Sequence, residues 1–591
     1  MKTSMSIFIL LSVLFIHKFI YAQAPVVKSF SPQRQVINAP RSAPVIVNFS
    51  TALNPATVNS NTFRVFGRQL GPFPGTFELL NGNTQIKFTP TGLFHAGEWI
   101  TVMLSKEIKS QNNIPMALGF NWNFWTKAGI GTLNQTLIKT IQVRKQGEGL
   151  IQCYGALGMD LNDDGKTDLA IVNEVSNDFR IYLNNGNNYD TMYSLYTIPS
   201  GSYPSPSDAA DFNHDGKVDI VIGNAGNNIM SLFIASGGAV YQTGIPYTAA
   251  NNVRGVAISD LDGDGYDDVI TANRGGSNIS LFKNNGSGTF GSPVNINTIG
   301  NGETAVMMTD ANNDGIMDAF IGCYSSNEIV LMLGDGNGNL TYSGRSGLGG
   351  QPWAIAVGDI NGDGNADVAA CLSSFNKIGV IFGNGSGGLG AVVNYNSGQF
   401  PLAIDIGDVD GDNDLDLISS DYISGDYKVY ENNGSGGFTN NPITLPASSA
   451  GSCITVHDRD NDGDLDLAGI DEVDDLLFIF NNGPVGISNN TTEIPENFFL
   501  EQNIPNPFNP VTNLEFGIPE SGFVSLKIFD ILGKEVKTLV NENKPAGKYI
   551  VKFSATGGGS NLSSGIYFYR LEASVKDGNN FVMTKRMVLV K

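Results

Sequence analysis

Seven Asp-rich segments recur down the middle of the chain, beginning at Asp160, Asp211, Asp260, Asp310, Asp359, Asp408 and Asp458. Their spacings are 51, 49, 50, 49, 49 and 50 residues. A period this regular restricts the fold severely, because each repeat must be one supersecondary unit that buries its apolar face against its neighbours. A second marker keeps the same phase: Asn-Asn-Gly-Ser-Gly-Thr-Phe ending at Phe290, then Gly-rich counterparts ending at Leu340, Leu389 and Phe438. Each repeat therefore reads as apolar strand, Asp loop, apolar strand, a further strand, Gly-rich hairpin and a last strand. Four short strands per repeat make one propeller blade. The seventh repeat runs out near Asn482, before its last strand could form, while Thr136–Val143 is a spare strand ahead of the first loop. Pairing the two closes a ring without an open edge. The expected fold is all-β: a seven-bladed β-propeller over 134–485, flanked by a β-sandwich on each side.

Each Asp segment follows D-x-[DN]-x-D-[GN]-x-x-D. Positions 1, 3, 5 and 9 are Asp160/Asn162/Asp164/Asp168, Asp211/Asn213/Asp215/Asp219, Asp260/Asp262/Asp264/Asp268 and Asp310/Asn312/Asp314/Asp318 in the first four. In the last three they are Asp359/Asn361/Asp363/Asp367, Asp408/Asp410/Asp412/Asp416 and Asp458/Asp460/Asp462/Asp466. Alternate residues of a tight turn point their oxygens at one centre, and hard Ca²⁺ takes six to eight such oxygens. All four positions of every loop are therefore expected ligands. Gly at position 6, or Asn413 in the sixth loop, permits the positive φ the turn needs. These are not EF-hands: position 12 holds Ile171, Ile222, Thr271, Ile321, Ala370, Ser419 and Gly469 instead of a bidentate Glu. The ligand positions hold 24 aspartates, against a net charge of −22 for the whole chain. Paired carboxylates this close repel by about 1–4 kcal/mol, so about seven Ca²⁺ are expected, leaving a net charge near −8 from the −22 of the protein.

The acidic balance argues against nucleic acid, which needs a basic face. Lys2 followed by the apolar run Ile7–Ile16, with Ala22 before Gln23, reads as a signal peptide over 1–22; a retained anchor is the alternative. No other stretch is apolar enough to span a membrane. Residues 25–128 show short strands at Ile46–Phe49, Phe63–Phe66, Phe77–Leu80, Ile86–Phe88, Ile100–Leu104 and Trp122–Trp125. Residues 486–496 read as a linker, and 497–591 as a second small β unit with strands at Val524–Asp530, Tyr549–Phe553, Gly565–Leu571 and Phe581–Val590.

Three resemblances follow from these residues. The seven loops and their blades resemble FG-GAP/VCBS repeats, the calcium-loop blades also found in integrin α-subunit propellers. That implies structural Ca²⁺ on one rim and ligand binding on the opposite rim. Pro25–Pro32, the stretch 48–57 and Phe88-Thr-Pro90 resemble a bacterial Ig-like domain, which implies a spacer or presentation role. Asn503–Pro510, Ile528–Lys534, Ser564–Leu571 and Thr584–Lys591 resemble a type A C-terminal sorting domain of the type IX secretion system, with a further Ig-like spacer as the alternative. The sorting reading implies export through the periplasm, recognition by the type IX machinery, and a secreted or cell-surface protein.

Cys153 and Cys453 fall on one face of the first and last repeats, where a bridge or two buried free thiols are both open. Cys323 and Cys371 are one place out of register. Beyond the leader the histidines are His95, His214 and His457, two of them in or beside Asp loops, and no nucleophile elbow, zinc cluster or phosphate loop stands out. The expected function is a non-enzymatic binding or adhesion module for a glycan, matrix or surface-protein ligand. A polysaccharide-degrading enzyme and a purely structural surface protein are the alternatives. Candidate ligand-rim residues are Tyr203, Arg254, Glu303, Trp353 and Phe400; Trp353 and Phe400 equally suit plugs of the central channel. Trp122 and Trp125 read as core or edge packing ahead of a binding patch.

Overall fold

The computed structural model describes residues 23–483, except 187 and 200, and most of 498–590. The expected signal peptide and the linker at 486–496 lie outside the described residues. The chain divides into two compact units, Met1–Val485 and Gly486–Lys591.

The fold is all-β. Between Thr136 and Asn481 the described residues form seven four-stranded antiparallel sheets, one for each Asp loop. In every sheet the strand after the loop, such as Asp168–Asn173 or Asp367–Leu372, is buried at all six positions. That explains why these segments read as continuous apolar runs: sheets stacked on both faces leave no polar side. The strands before the loops are innermost, and each neighbours the next in a cycle that returns from Gly451–His457 to Cys153–Met159. The spare strand, observed as Thr136–Gln142, pairs with Leu476–Asn481, with Ile141 opposite Leu477 and Lys139 opposite Ile479. First and last repeats thus share a sheet, which closes the propeller.

Every innermost strand carries a bulge near its start, between Cys153 and Gly155 in the first repeat and between Gly451 and Cys453 in the last. One extra residue reverses the side-chain alternation that follows. Cys153 lies before its bulge and Cys453 after, so the two do not share a face. Cys153 packs between sheets, Cys453 lines the channel, and all four cysteines are free thiols.

Residues 27–125 form two four-stranded sheets packed face to face. Trp122 is fully buried and donates its Nε1–H to the Pro32 carbonyl at 3.1 Å. Trp125 stacks on Trp99 at 5.2 Å, and both pack with Val357 and Leu415 of the propeller. The sandwich, for which the resemblance implied a spacer or presentation role, is therefore docked on the propeller. It sits on the Asp-loop rim. Arg64 donates to Asp267 Oδ2 at 2.8 Å and to the Gly265 carbonyl at 3.1 Å. Lys106 reaches the Asp262 carbonyl through its Nζ at 2.8 Å, and Gly129 N–H meets the Gly463 carbonyl at 2.5 Å. Arg68 extends into the channel to Asp405, 3.1 Å away. Apart from the Gly129 backbone bond, these contacts use single side chains scattered along the sandwich, so no local pattern announces them.

The second unit has a three-stranded and a four-stranded sheet around Leu514, Phe516, Leu526, Tyr569 and Met587. Its opening Asn-Pro-Phe segment is fixed to the last strand, Phe508 N–H to the Val588 carbonyl at 2.9 Å and Val590 N–H to the Phe508 carbonyl at 3.0 Å.

Arg64 and Asp267 are 7% and 6% exposed. Removing one partner of a buried pair costs about 3–5 kcal/mol. Arg64→Ala is therefore expected to lower the melting temperature clearly in calorimetry. Lys87→Ala, which breaks a solvent-exposed pair with Glu78, should stay within about 1 kcal/mol.

Candidate functional site: the Asp loops and the channel mouth

Two φ > 0 residues shape each Asp loop. Position 6 is left-handed in all seven, from Gly165 at 78° through Asn413 at 75° to Gly463 at 102°. Position 4 is left-handed too, at Asp163, His214, Gly263, Asn313, Gly362, Gly411 and Asn461. The sequence already hinted at this, since six of these seven are Gly, Asn or Asp, the residues that tolerate the region best. The turn is held by its own carboxylates. In six loops the position 1 Oδ2 accepts the N–H of position 6 at 2.7–3.1 Å. The position 9 aspartate does more in all seven. Its Oδ2 accepts the N–H of position 2 at 2.9–3.2 Å. Its Oδ1 accepts an N–H sixteen residues on, at the end of the third strand, at 2.7–3.0 Å. Neighbouring repeats are stapled beside it: Asn184, Asn284, Asn432 and Asn482 donate to the position 2 carbonyl of the preceding loop at 2.7–2.9 Å. Asn184 reaches back to Arg459, across the ring closure.

In three loops the donor set fits a hard divalent cation. These are the loops with aspartate at all of positions 1, 3, 5 and 9, where carboxylate oxygens of Asp260/Asp262/Asp268, Asp408/Asp410/Asp416 and Asp458/Asp460/Asp462 lie within 4.8 Å of one another. The fourth motif aspartate of each, Asp264, Asp412 and Asp466, stands outside the cluster. Both oxygens of Asp458 are buried without a hydrogen-bond partner. Burial, reinforced by neighbouring carboxylates, pushes Asp260 and Asp458 up to about 7. Burial likewise pushes Asp268, Asp367 and Asp416 to about 8. A cation would offset that cost.

The other four loops differ at position 3, where each carries Asn. Among the described residues, Asn162 and Asp164, Asn213 and Asp215, Asn312 and Asp314, and Asn361 and Asp363 do not join a carboxylate cluster with positions 1 and 9. Position 3 is an amide in all four, which removes one carboxylate from each set. Its one oxygen is used within the turn, accepting the position 5 N–H at 2.9–3.1 Å in Asn162, Asn213, Asn312 and Asn361. That oxygen keeps a second lone pair, and the rest of the group is a donor. Asn312 and Asn361 turn it on Asp314 Oδ2 and Asp363 Oδ2, at 3.0 and 3.2 Å. An aspartate in the same place makes the same turn bond, as Asp262 does at 3.2 Å, and still has a second oxygen for the centre. The position 5 carboxylates of the four Asn loops are all exposed. Asp164 and Asp215 point their Oδ2 at Lys166 and Lys217, at 2.7 and 3.1 Å, so each already has a counter-charge. In the fourth loop Arg34 of the sandwich also donates to Asp310 Oδ2 at 2.9 Å.

An FG-GAP-like repeat model matches residues 160–222, 211–271, 260–321, 310–370 and 408–469. The middle of the chain is an array of FG-GAP-like repeats. A bacterial Ig-like domain model matches 22–126, and a secretion system C-terminal sorting domain model matches 504–589. The sorting domain marks the chain for export and for secretion or the cell surface, and implies contact with the type IX machinery. No helix among the described residues is long and apolar enough to cross a membrane. No curated protein matches the chain. Three solved structures are similar at low identity. One is BBS1N in complex with ARL6DN (11% identity, TM-score 0.42, 60% of this chain and 98% of that one). Another is an Agrocybe aegerita lectin that recognises non-reducing terminal N-acetylglucosamine (18%, 0.38, 51% and 82%). The third is the extracellular domain of the one-component system BT4673 from B. thetaiotaomicron (10%, 0.37, 95% and 79%).

At the other end of the FG-GAP-like propeller, the innermost strands line a cavity of about 230 Å³ at the channel mouth. All seven residues six places before the loop Asp face it: Tyr154, Ser205, Arg254, Thr304, Trp353, Leu402 and Ser452. Two of the five candidate rim residues, Arg254 and Trp353, belong to this ring. Trp353 is half-buried and crosses the mouth, donating its Nε1–H to the Tyr154 hydroxyl at 2.7 Å. Arg254 lies 5.9 Å from the Trp353 ring and is paired with Glu174 at 2.9 Å. Glu303 is misplaced as a ligand residue. It sits one position earlier, before the bulge, fully buried and hydrogen-bonded by the Thr298 hydroxyl. Tyr203 and Phe400 occupy left-handed residues just outside the strands, at φ 45° and 61°. Tyr203 is exposed, and Phe400 packs edge-on to Tyr422. Sequence reading missed Tyr154 and the turn residues Arg274 and Tyr324, which occupy equivalent places fourteen residues after Asp260 and Asp310. Aligning the seven repeats column by column would have found them.

The position 9 carboxylates serve the fold as well as any metal. Asp268→Asn, which sets an amide where two N–H groups need acceptors, should cost about 1–3 kcal/mol. Thermal melting should show that loss both in EDTA and with divalent metal. Asp262→Asn, which turns the third loop into the Asn type, should matter only with metal present.

Proposed function

We propose that the protein is an extracellular, non-enzymatic binding module. Its FG-GAP-like propeller holds about seven structural Ca²⁺ ions at saturation, most firmly in the three loops with aspartate at all four motif positions. Its channel mouth takes a glycan, matrix or surface-protein ligand. The observation that carries this reading is the division of labour between the two ends of the channel. The Asp-loop end is capped by the sandwich, with Phe66, Arg68, Trp99 and Met103 lining a cavity there beside the innermost strands. The opposite mouth is lined by innermost strands alone and carries the aromatic and cationic side chains. A Trp over a cavity is a good stacking platform, since aromatic groups bring large contact area at low entropic cost.

The histidines support binding over catalysis. Burial pushes His95 down to about 4 and both His214 and His457 to about 3, so each stays neutral. His457 is held by the Tyr189 hydroxyl at 2.6 Å, and His214 stacks on Tyr266 at 4.0 Å. None of the three lines the mouth cavity.

Ca²⁺, when bound, supplies charge compensation to the loop carboxylates. It should raise the melting temperature of the propeller by on the order of 10 °C relative to EDTA-treated protein. An unchanged transition, with elemental analysis showing metal-free protein in both samples, overturns the calcium assignment.

Binding is tested on a glycan array together with matrix and surface proteins. Trp353→Ala is expected to abolish the strongest signal with little change in melting temperature, because the indole faces a cavity instead of close-packed core. Normal binding by Trp353→Ala, or a large drop in its stability, makes Trp353 a structural plug and moves the ligand site elsewhere.

A further inference from the structure

We infer that the channel mouth selects an anionic glycan, and that Arg274 is the residue that reads its acidic group. The inference rests on the mouth being the ligand site and adds the class of ligand.

Arg274 stands in the turn after the second strand of the third repeat. Its guanidinium lies 4.2 Å from the Tyr324 ring centre and 5.2 Å from that of Trp353. Tyr324 and Trp353 are themselves edge-to-face at 5.5 Å, and Trp353 is anchored on Tyr154. The cation thus packs against two aromatic rings that are fixed in turn. Such stacking occupies the faces of a guanidinium and leaves its in-plane N–H donors available. Among the described residues no carboxylate lies within the 4.0 Å ion-pair distance of Arg274.

The surrounding charges sharpen the contrast. Arg254 is neutralised by Glu174. Glu472 is buried and accepts a hydrogen bond from Gln152 at 2.6 Å, and burial pushes it up to about 7. Glu303 is buried away from the mouth. Arg274 is therefore a cation at the mouth with no carboxylate beside it, on a chain whose net charge is −22. A planar fork of donors beside aromatic platforms suits a sugar ring carrying a carboxylate: the ring stacks and the carboxylate takes two parallel hydrogen bonds. A neutral glycan would leave the fork unused, and a bare anion would leave the platforms unused.

The test measures affinity of the full secreted chain, calcium-loaded, for oligogalacturonate, oligoalginate and hyaluronan oligomers. Each is compared with its methyl ester, which keeps the sugar and removes the charge. At least one acid is expected to bind, its ester roughly tenfold weaker or worse. Arg274→Ala should lose a similar factor, and Arg274→Lys should recover only part, since an ammonium keeps the charge without the fork. Melting temperatures of both variants should match the parent. Equal binding of acid and ester, or an unaffected Arg274→Ala, overturns the anionic selectivity while leaving a glycan-binding mouth intact. Arg274-dependent binding of polyglutamate at the same strength assigns the site to acidic protein and overturns the glycan. If no acidic or neutral glycan binds, the glycan reading of the mouth falls with it.

Discussion

The carboxylate at position 9 of each Asp loop holds the propeller together. One oxygen fixes the start of the loop and the other fixes the end of the third strand, in every repeat. A single side chain therefore couples the innermost strand, the turn and the outer part of the same sheet. Burying an aspartate so deeply is expensive unless its lone pairs are used and its charge compensated. The backbone N–H groups meet the first demand. The crowd of carboxylates in the same turn makes the second, and a divalent cation is the natural answer.

The cap on that rim follows from the same electrostatics. Turns that direct their carboxylates inward present carbonyl oxygens outward, and the sandwich meets them with donors: Arg64, Lys106, Asn121 and the amide of Gly129. Arg34 and Arg68 go further and pair with acids of the propeller, Asp310 and Asp405. Loop order and docking are therefore linked, since the carbonyls point correctly only while the turns are closed. Whatever closes the turns also favours the cap, and by linkage the cap favours whatever closes the turns.

Much of this was legible in the sequence because it is local or periodic. The repeat spacing announced the sheets, the early end of the seventh repeat announced the strand that closes the ring, and short apolar runs placed six of the eight sandwich strands within a few residues. Parity was not legible. A bulge at the start of each innermost strand shifts side chains by one place, which is why Glu303 was taken for a rim residue and Cys453 for a face-mate of Cys153. Treating Asp and Asn at position 3 as interchangeable hid a second difference. Asn162 or Asn361 closes the turn as Asp262 does, but brings no second carboxylate oxygen. Docking of the sandwich was illegible for another reason: it depends on complementarity between residues as far apart as Arg68 and Asp405, and nothing in either neighbourhood marks them as partners. The two left-handed positions of the loop lie between these cases, since Gly and Asn at position 4 were visible and only their meaning was not.

The bulge that defeated parity also makes the binding surface. Without it, the residue six places before each loop would turn into the sheet stack, and the channel would be lined by the small residues that follow, such as Gly155 and Gly255. With it, seven equivalent side chains meet at one end of the channel, where neither the Asp loops nor the sandwich interferes. The fold demands little of that ring beyond a size the channel can hold, so its members are free to differ, and they do: Tyr, Ser, Arg, Thr, Trp, Leu and Ser. The loops repeat because each must solve the same electrostatic problem. Variety among sevenfold-equivalent positions at the mouth breaks the symmetry of the propeller, and an asymmetric mouth is what recognition of one particular ligand requires.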